Sequence, residues 1–213
     1  MTSLEPRHAT NLPRVLLRTP WPMVLLAAMS AGLVALLSVV RPSNAVPLFV
    51  VHLAAVALAS GTAYLLDDAA IAVTATTPQG LWRRRAPTLF AGLAVAAAAW
   101  TAVVVLLNRR SPTASTSALT IEVVALASVA LAAAAVAARR GEPEPGNLVA
   151  PTIVLLGVGA LIAQPALNIT LFTGGPGDPD RWVWWVGIAV AATIVLLIAS
   201  RDQATRPIRR LAH

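Results

Sequence analysis

Six stretches of this chain are almost uninterrupted runs of apolar residues, and short polar segments separate them. The runs cover residues 23–40, 46–66, 86–107, 118–138, 148–172 and 182–200. A helix that crosses about 30 Å of hydrocarbon needs about 20 mostly apolar residues, and each run has roughly that length. The separators are rich in turn-forming residues: "RPSNAVP" from residue 41, "NRRSPTASTS" from 108, "RRGEPEPGN" from 139 and "GGPGDPD" from 174. The pattern predicts an all-α, polytopic membrane protein of six transmembrane helices, formed as a single domain with short interfacial helices. Residues 1–21 form an N-terminal segment and residues 201–213 a basic tail.

The stretch "YLLDDAAIAVTATTPQGLWRRR", residues 64–85, fits none of the runs. Its apolar centre, residues 69–77, is about half the length of a span. Inserting Asp67 and Asp68 into hydrocarbon would cost about 2.5–3.5 kcal/mol each. Arginine placement tests the same point, because cytoplasmic loops collect basic residues. With six spans and both termini inside, twelve arginines lie on the cytoplasmic side (7, 14, 18, 83, 84, 85, 139, 140, 201, 206, 209 and 210) and four outside (41, 109, 110 and 181). If residues 67–85 also crossed, the division would become six inside and ten outside. Residues 67–85 are therefore expected to be a cytoplasmic loop.

Within that loop, Asp67 or Asp68 suits the N-terminus of a short helix, where a carboxylate accepts free N–H groups and is favoured by the dipole. The helix would end before Pro78. Two readings are open: an interfacial helix closing the bundle, or an apolar docking element for another protein. At the N-terminus, "NLPRVLLRTPWP" has Arg14 and Arg18 four residues apart, with Leu16 among the apolar residues between them. It reads as a short amphipathic helix at the membrane surface, or as a plain basic flank.

Composition narrows the possibilities further. The chain is 57% hydrophobic and 12% charged, far from the balance of a soluble domain. It has no cysteine, which excludes disulfides and thiolate chemistry. Its net charge of +7 comes entirely from arginine beside apolar runs, which fits membrane lipids as a partner and not nucleic acid. Metalloprotease, hydrolase and phosphate-loop motifs are missing, so the chain is expected to be no enzyme and to bind no metal or cofactor itself.

Few polar groups interrupt the runs. His52 lies in the outer third of the second run, where a hydrogen bond to a neighbouring helix suits it better than ligand or proton chemistry. Glu122, near the outer end of the fourth run, is expected at the interface, within reach of water or of Arg109 or Arg110. Gln164 precedes Pro165, which removes a helix hydrogen bond and predicts a kink or break. The sequence around Asn168 beyond it reads as a helix end or a partly re-entrant segment. His52, Gln164, Pro165 and Asn168 are the candidate pathway or helix-break residues.

In layout and in the 64–85 stretch, the chain resembles the permease subunits of type-2 ATP-binding-cassette exporters, of a small actinobacterial type. The resemblance implies that Asp67, Asp68, Ala69, Ile71, Val73, Thr74 and Thr77 form a coupling helix docked on a separate ATPase chain. Arg14, Leu16 and Arg18 would then belong to the connecting helix. It further implies a second permease half, identical or related, and ATP and Mg bound on the partner ATPase. The substrate would be an amphipathic or lipidic molecule, a peptide or a drug. A different class of function, a non-transporting scaffold, regulatory or immunity subunit, uses the same docking loop and differs in having no pathway through its spans.

Overall fold

The computed structural model describes residues 21–40, 48–67, 81–110, 115–142, 144–167, 171–172 and 181–199. Six α-helices run through them: α1 (Trp21–Val40), α2 (Leu48–Ala63), α3 (Leu81–Arg110), α4 (Thr116–Arg139), α5 (Pro145–Leu167) and α6 (Arg181–Ala199). A 3-10 turn, Tyr64–Leu66, extends α2. Five stretches are long and apolar enough to cross a bilayer: Leu48–Leu66, Ala86–Arg109, Thr116–Arg139, Pro145–Leu167 and Arg181–Ala199. Helix α1 has 20 residues, and Leu25–Val34 is its apolar stretch. No strand occurs among the described residues. These are the helices of a multi-pass membrane protein, in which helices satisfy every backbone group without water.

Two boundaries lie five residues from the sequence expectation, and the others lie within three. Helix α3 starts at Leu81, so residues 81–85, read as loop, belong to the helix that becomes the third span. Helix α5 ends at Leu167, short of the expected residue 172. Pro165 does not break α5 in its middle; it is the third residue from the end, and Pro151 is accommodated inside the same helix. The missing N–H of Pro165 leaves the Leu161 carbonyl without a helical donor, and the helix runs only two residues further.

Helix α2 is the centre of the bundle, packed against α1, α3, α4 and α5. Its residues 54–56 and 58–63 are all buried. Helix α3 lies mainly on α1, and α6 lies along α4. The contacts fix the helix directions. Met23 at the start of α1 meets the site of Gly61 at the end of α2, and Leu65 just beyond α2 meets Gly92 in the first half of α3. His52 near the start of α2 meets Glu122 near the start of α4. Neighbours in sequence therefore alternate in direction, and the start of α1, both ends of the 67–81 connection, the α4–α5 turn and the end of α6 share one end of the bundle.

Alanine and glycine make the close packing possible. A Cβ on Gly157 of α5 would lie 2.7 Å from both γ-methyls of Val56 on α2, so the bare glycine lets that side chain in. Hydroxyl residues avoid unsatisfied donors by bonding back to their own helix: Ser30 to Ala27, Ser60 to Ala57 and Thr62 to Ala59. Trp100 Nε1 of α3 donates to Thr120 Oγ1 of α4 at 3.0 Å, a polar tie between otherwise apolar helices.

The turn between α4 and α5 is fully specified by "RRGEPEPG". Gly141 takes a left-handed φ of 99°. Its N–H bonds the carbonyl of Ala138 and that of Glu142 bonds Ala137, both at 3.1 Å, which closes the helix in a Schellman arrangement. Pro145 then opens α5, where its missing N–H costs nothing.

Candidate functional site

Two polar constellations stand at opposite ends of α2. At one end, Asp67 follows the 3-10 turn in an extended conformation (φ −68°, ψ 134°). Its Oδ1 accepts the backbone N–H of Gly146 at 2.6 Å. Gly146 is the second residue of α5, whose N–H has no partner within its own helix. The carboxylate thus performs an N-cap's work from another helix, and the helix dipole favours its charge there. Glycine is required at this approach: a Cβ at 146 would sit 2.6 Å from Asp67 Oδ2 and 2.9 Å from the Tyr64 Cα.

The same end holds a second helix-end contact. Arg139, the last residue of α4, donates from Nη1 to the carbonyl of Ile198 at 2.9 Å. That carbonyl belongs to the last turn of α6, where a cation suits the negative end of the dipole.

At the other end, His52 Nδ1 and Glu122 Oε1 share a hydrogen bond of 2.8 Å. Both side chains are buried, His52 at 7% exposure and Glu122 at 0%. Glu122 was expected at the interface beside Arg109 or Arg110; it is enclosed instead, because α4 turns it toward α2, where the imidazole supplies a polar partner away from water. The expected interhelical hydrogen bond of His52 is present. The partner makes the site more than a satisfied histidine, since an ionisable pair now lies inside apolar helices.

Phe172 lies against the imidazole of this pair. Its ring centroid is 5.0 Å from the imidazole at an interplanar angle of 40°, and Trp185 of α6 lies 6.0 Å beyond it. Phe172 also packs on Val56 and Leu161. Gln164 places it there. Its Oε1 accepts the N–H of Leu171 at 2.7 Å and of Phe172 at 3.1 Å, which folds the chain back over the end of α5. An open groove of about 450 Å³, lined by Ser115, Ser117, Ala118, Ile121 and Trp182, lies at this end between α4 and α6.

The structure therefore brings together His52 and Gln164 from the sequence-derived set and adds Glu122, Phe172 and Trp185. Pro165 is exposed and makes no contribution to the pair. Asp67 is engaged with α5. Asp68, Ala69, Ile71, Val73, Thr74, Thr77, Arg14, Leu16, Arg18 and Asn168 lie outside the described residues. Among the described residues no group of three or more His, Cys, Asp or Glu side chains could hold a metal ion. No protein-family model, curated protein or solved structure matches the chain.

Proposed function

We propose that this chain is the membrane-embedded permease subunit of an ATP-driven export complex. A separate ATP-binding-cassette ATPase docks on residues 68–77, and a second permease half, identical or related, completes the pathway. ATP and Mg belong to the ATPase. The substrate class is amphipathic or lipidic, in keeping with the apolar walls that the helices offer.

The observation that supports this best is how the docking segment is rooted. On its N-terminal side Asp67 is bonded to the first turn of α5, and Leu65 is seated against Gly92 of α3. On its C-terminal side the chain enters α3 directly at Leu81. Force applied to residues 68–80 is thus delivered to α2, α3 and α5 together, as a coupling element requires. Charge supports the sidedness. Among the described residues this end carries Arg83, Arg84, Arg85, Arg139 and Arg140, against Arg109, Arg110 and Arg181 at the other. By the positive-inside rule it is the cytoplasmic end, the end at which α1 starts and α6 stops.

The test is purification of the full chain in mild detergent, with mass-spectrometric identification of accompanying chains and measurement of ATP hydrolysis. An ATP-binding-cassette ATPase is expected, and Ile71→Asp or Val73→Asp should release it while the chain still inserts. A preparation that retains other membrane complexes but holds no ATPase overturns the reading.

A further inference from the structure

We propose that the His52–Glu122 pair is a proton-binding site, and that the proton it holds sets how firmly Phe172 is seated against the imidazole. This goes beyond the export reading and does not depend on it. Loading adds one proton from water to the imidazole–carboxylate pair, and no other bond forms or breaks.

Packing alone does not call for these residues. The rest of the α2–α4 contact is built from alanine, valine and leucine, joined by Thr62 Oγ1 to the carbonyl of Ala127 at 3.4 Å. A buried ionisable pair is commonly no more stabilising than apolar side chains of the same volume. Within membrane helices such groups mark ion and proton chemistry. The pair also stands close to one end of the bundle. His52 is four residues past the start of α2 and Glu122 six past the start of α4, about 6 and 9 Å along the helix axes.

Among the described residues, the pair is the only ionisable unit in the interior at this level. Helices α1 and α5 have no ionisable side chain, α2 has only His52, and α4 has Glu122 and, at its far end, Arg139. Among the described residues, the charges at the same end are Arg109 and Arg110 at the end of α3 and Arg181 at the start of α6; Arg41, Asp178 and Asp180 belong to the adjoining connections, outside the described residues. Arg109 is exposed and Arg181 half-buried, so both sit at the rim.

Phe172 is what senses the proton. An imidazolium is attracted to an aromatic face, and a neutral imidazole much less so. With the ring centroids 5.0 Å apart, protonation tightens this contact. Phe172 is tethered to α5 through Gln164 and touches Trp185 of α6, so a change in its seating is felt by both helices.

Histidine usage makes the test direct, since only His8 and His213 accompany His52. A His8→Gln/His213→Gln chain, ¹⁵N-labelled at histidine and reconstituted in lipid nanodiscs, gives the His52 imidazole signal alone. 4-Fluorophenylalanine at position 172 gives a ¹⁹F signal from the adjacent ring. As pH is stepped over the range in which the chain stays folded, the imidazole signals should report gain of one proton on acidification. The ¹⁹F signal should move with the same midpoint, and Glu122→Gln should displace that midpoint. Imidazole signals unchanged at every pH would overturn the site and leave a fixed contact. An imidazole that titrates beside an unmoved ¹⁹F signal would overturn the coupling. Both readings come from the chain with Glu122 in place, so the outcome stands even if Glu122→Gln does not fold.

Discussion

The carboxylate of Asp67 and the backbone N–H of Gly146 meet at 2.6 Å although 79 residues separate them. One residue thereby closes the turn after α2, through its N–H on the Tyr64 carbonyl, and caps α5 with its carboxylate. Asp67→Ala should lower stability by about 1 kcal/mol, the usual loss of an N-cap, and Asp67→Asn by less, since it keeps the acceptor. Thermal unfolding of the full chain in detergent measures both.

Gly146→Ala attacks the same contact from the other side. The added methyl would have to displace the Asp67 carboxylate and the Tyr64 backbone, a loss of about 1–3 kcal/mol. Combined with Asp67→Ala, the two losses should fall short of their sum, because each removes the same bond.

Gly157→Ala should destabilise by a similar amount, roughly 1–3 kcal/mol, through collision with the Val56 methyls. Val56→Ala in the same chain should recover part of that loss. Failure of the second change to help would mean that α2 and α5 do not approach closely at this level.

His52→Leu removes the imidazole that bonds Glu122, and Glu122→Leu removes the carboxylate that bonds His52. His52→Leu and Glu122→Leu should each destabilise, while the double variant should be more stable than the sum of the single changes predicts, by about 1–3 kcal/mol. Unfolding of all four chains under one condition gives that coupling directly. Additive losses would show that the two side chains do not depend on each other.

A cysteine placed at position 79 is the sole thiol in the chain, because the natural sequence has none. In intact cells it should be shielded from a membrane-impermeant maleimide and should react after permeabilisation. Labelling from outside would reverse the assignment of the Asp67 end to the cytoplasm.

The helices were legible because hydrocarbon thickness imposes a minimum apolar length and arginines punctuate the runs. The α4–α5 turn was legible for a local reason, a glycine followed by prolines. The pairing of His52 with Glu122 was not read, although a signal existed: each stands a short way in from the same end of an alternating helix. Placing Glu122 at the rim beside Arg109 and Arg110 ignored the direction in which α4 presents that position, which only packing against α2 decides. The role of Phe172 was less accessible still. It depends on the Gln164 amide reaching seven and eight residues ahead, a tertiary contact that neither periodicity nor propensity encodes.

Helix α6 rests along α4, and few of its own side chains are buried. That asymmetry has a consequence for how the protein is made. When α6 leaves the ribosome, α4 is already complete and α2 has all four of its neighbours. Helix α6 therefore joins an already packed centre laterally, and its arrival closes two contacts at once: Arg139 on the Ile198 carbonyl, and Trp185 on Phe172. Insertion of α6 thus adds a clasp at each membrane face, and a chain halted before Arg181 would retain its centre while lacking both.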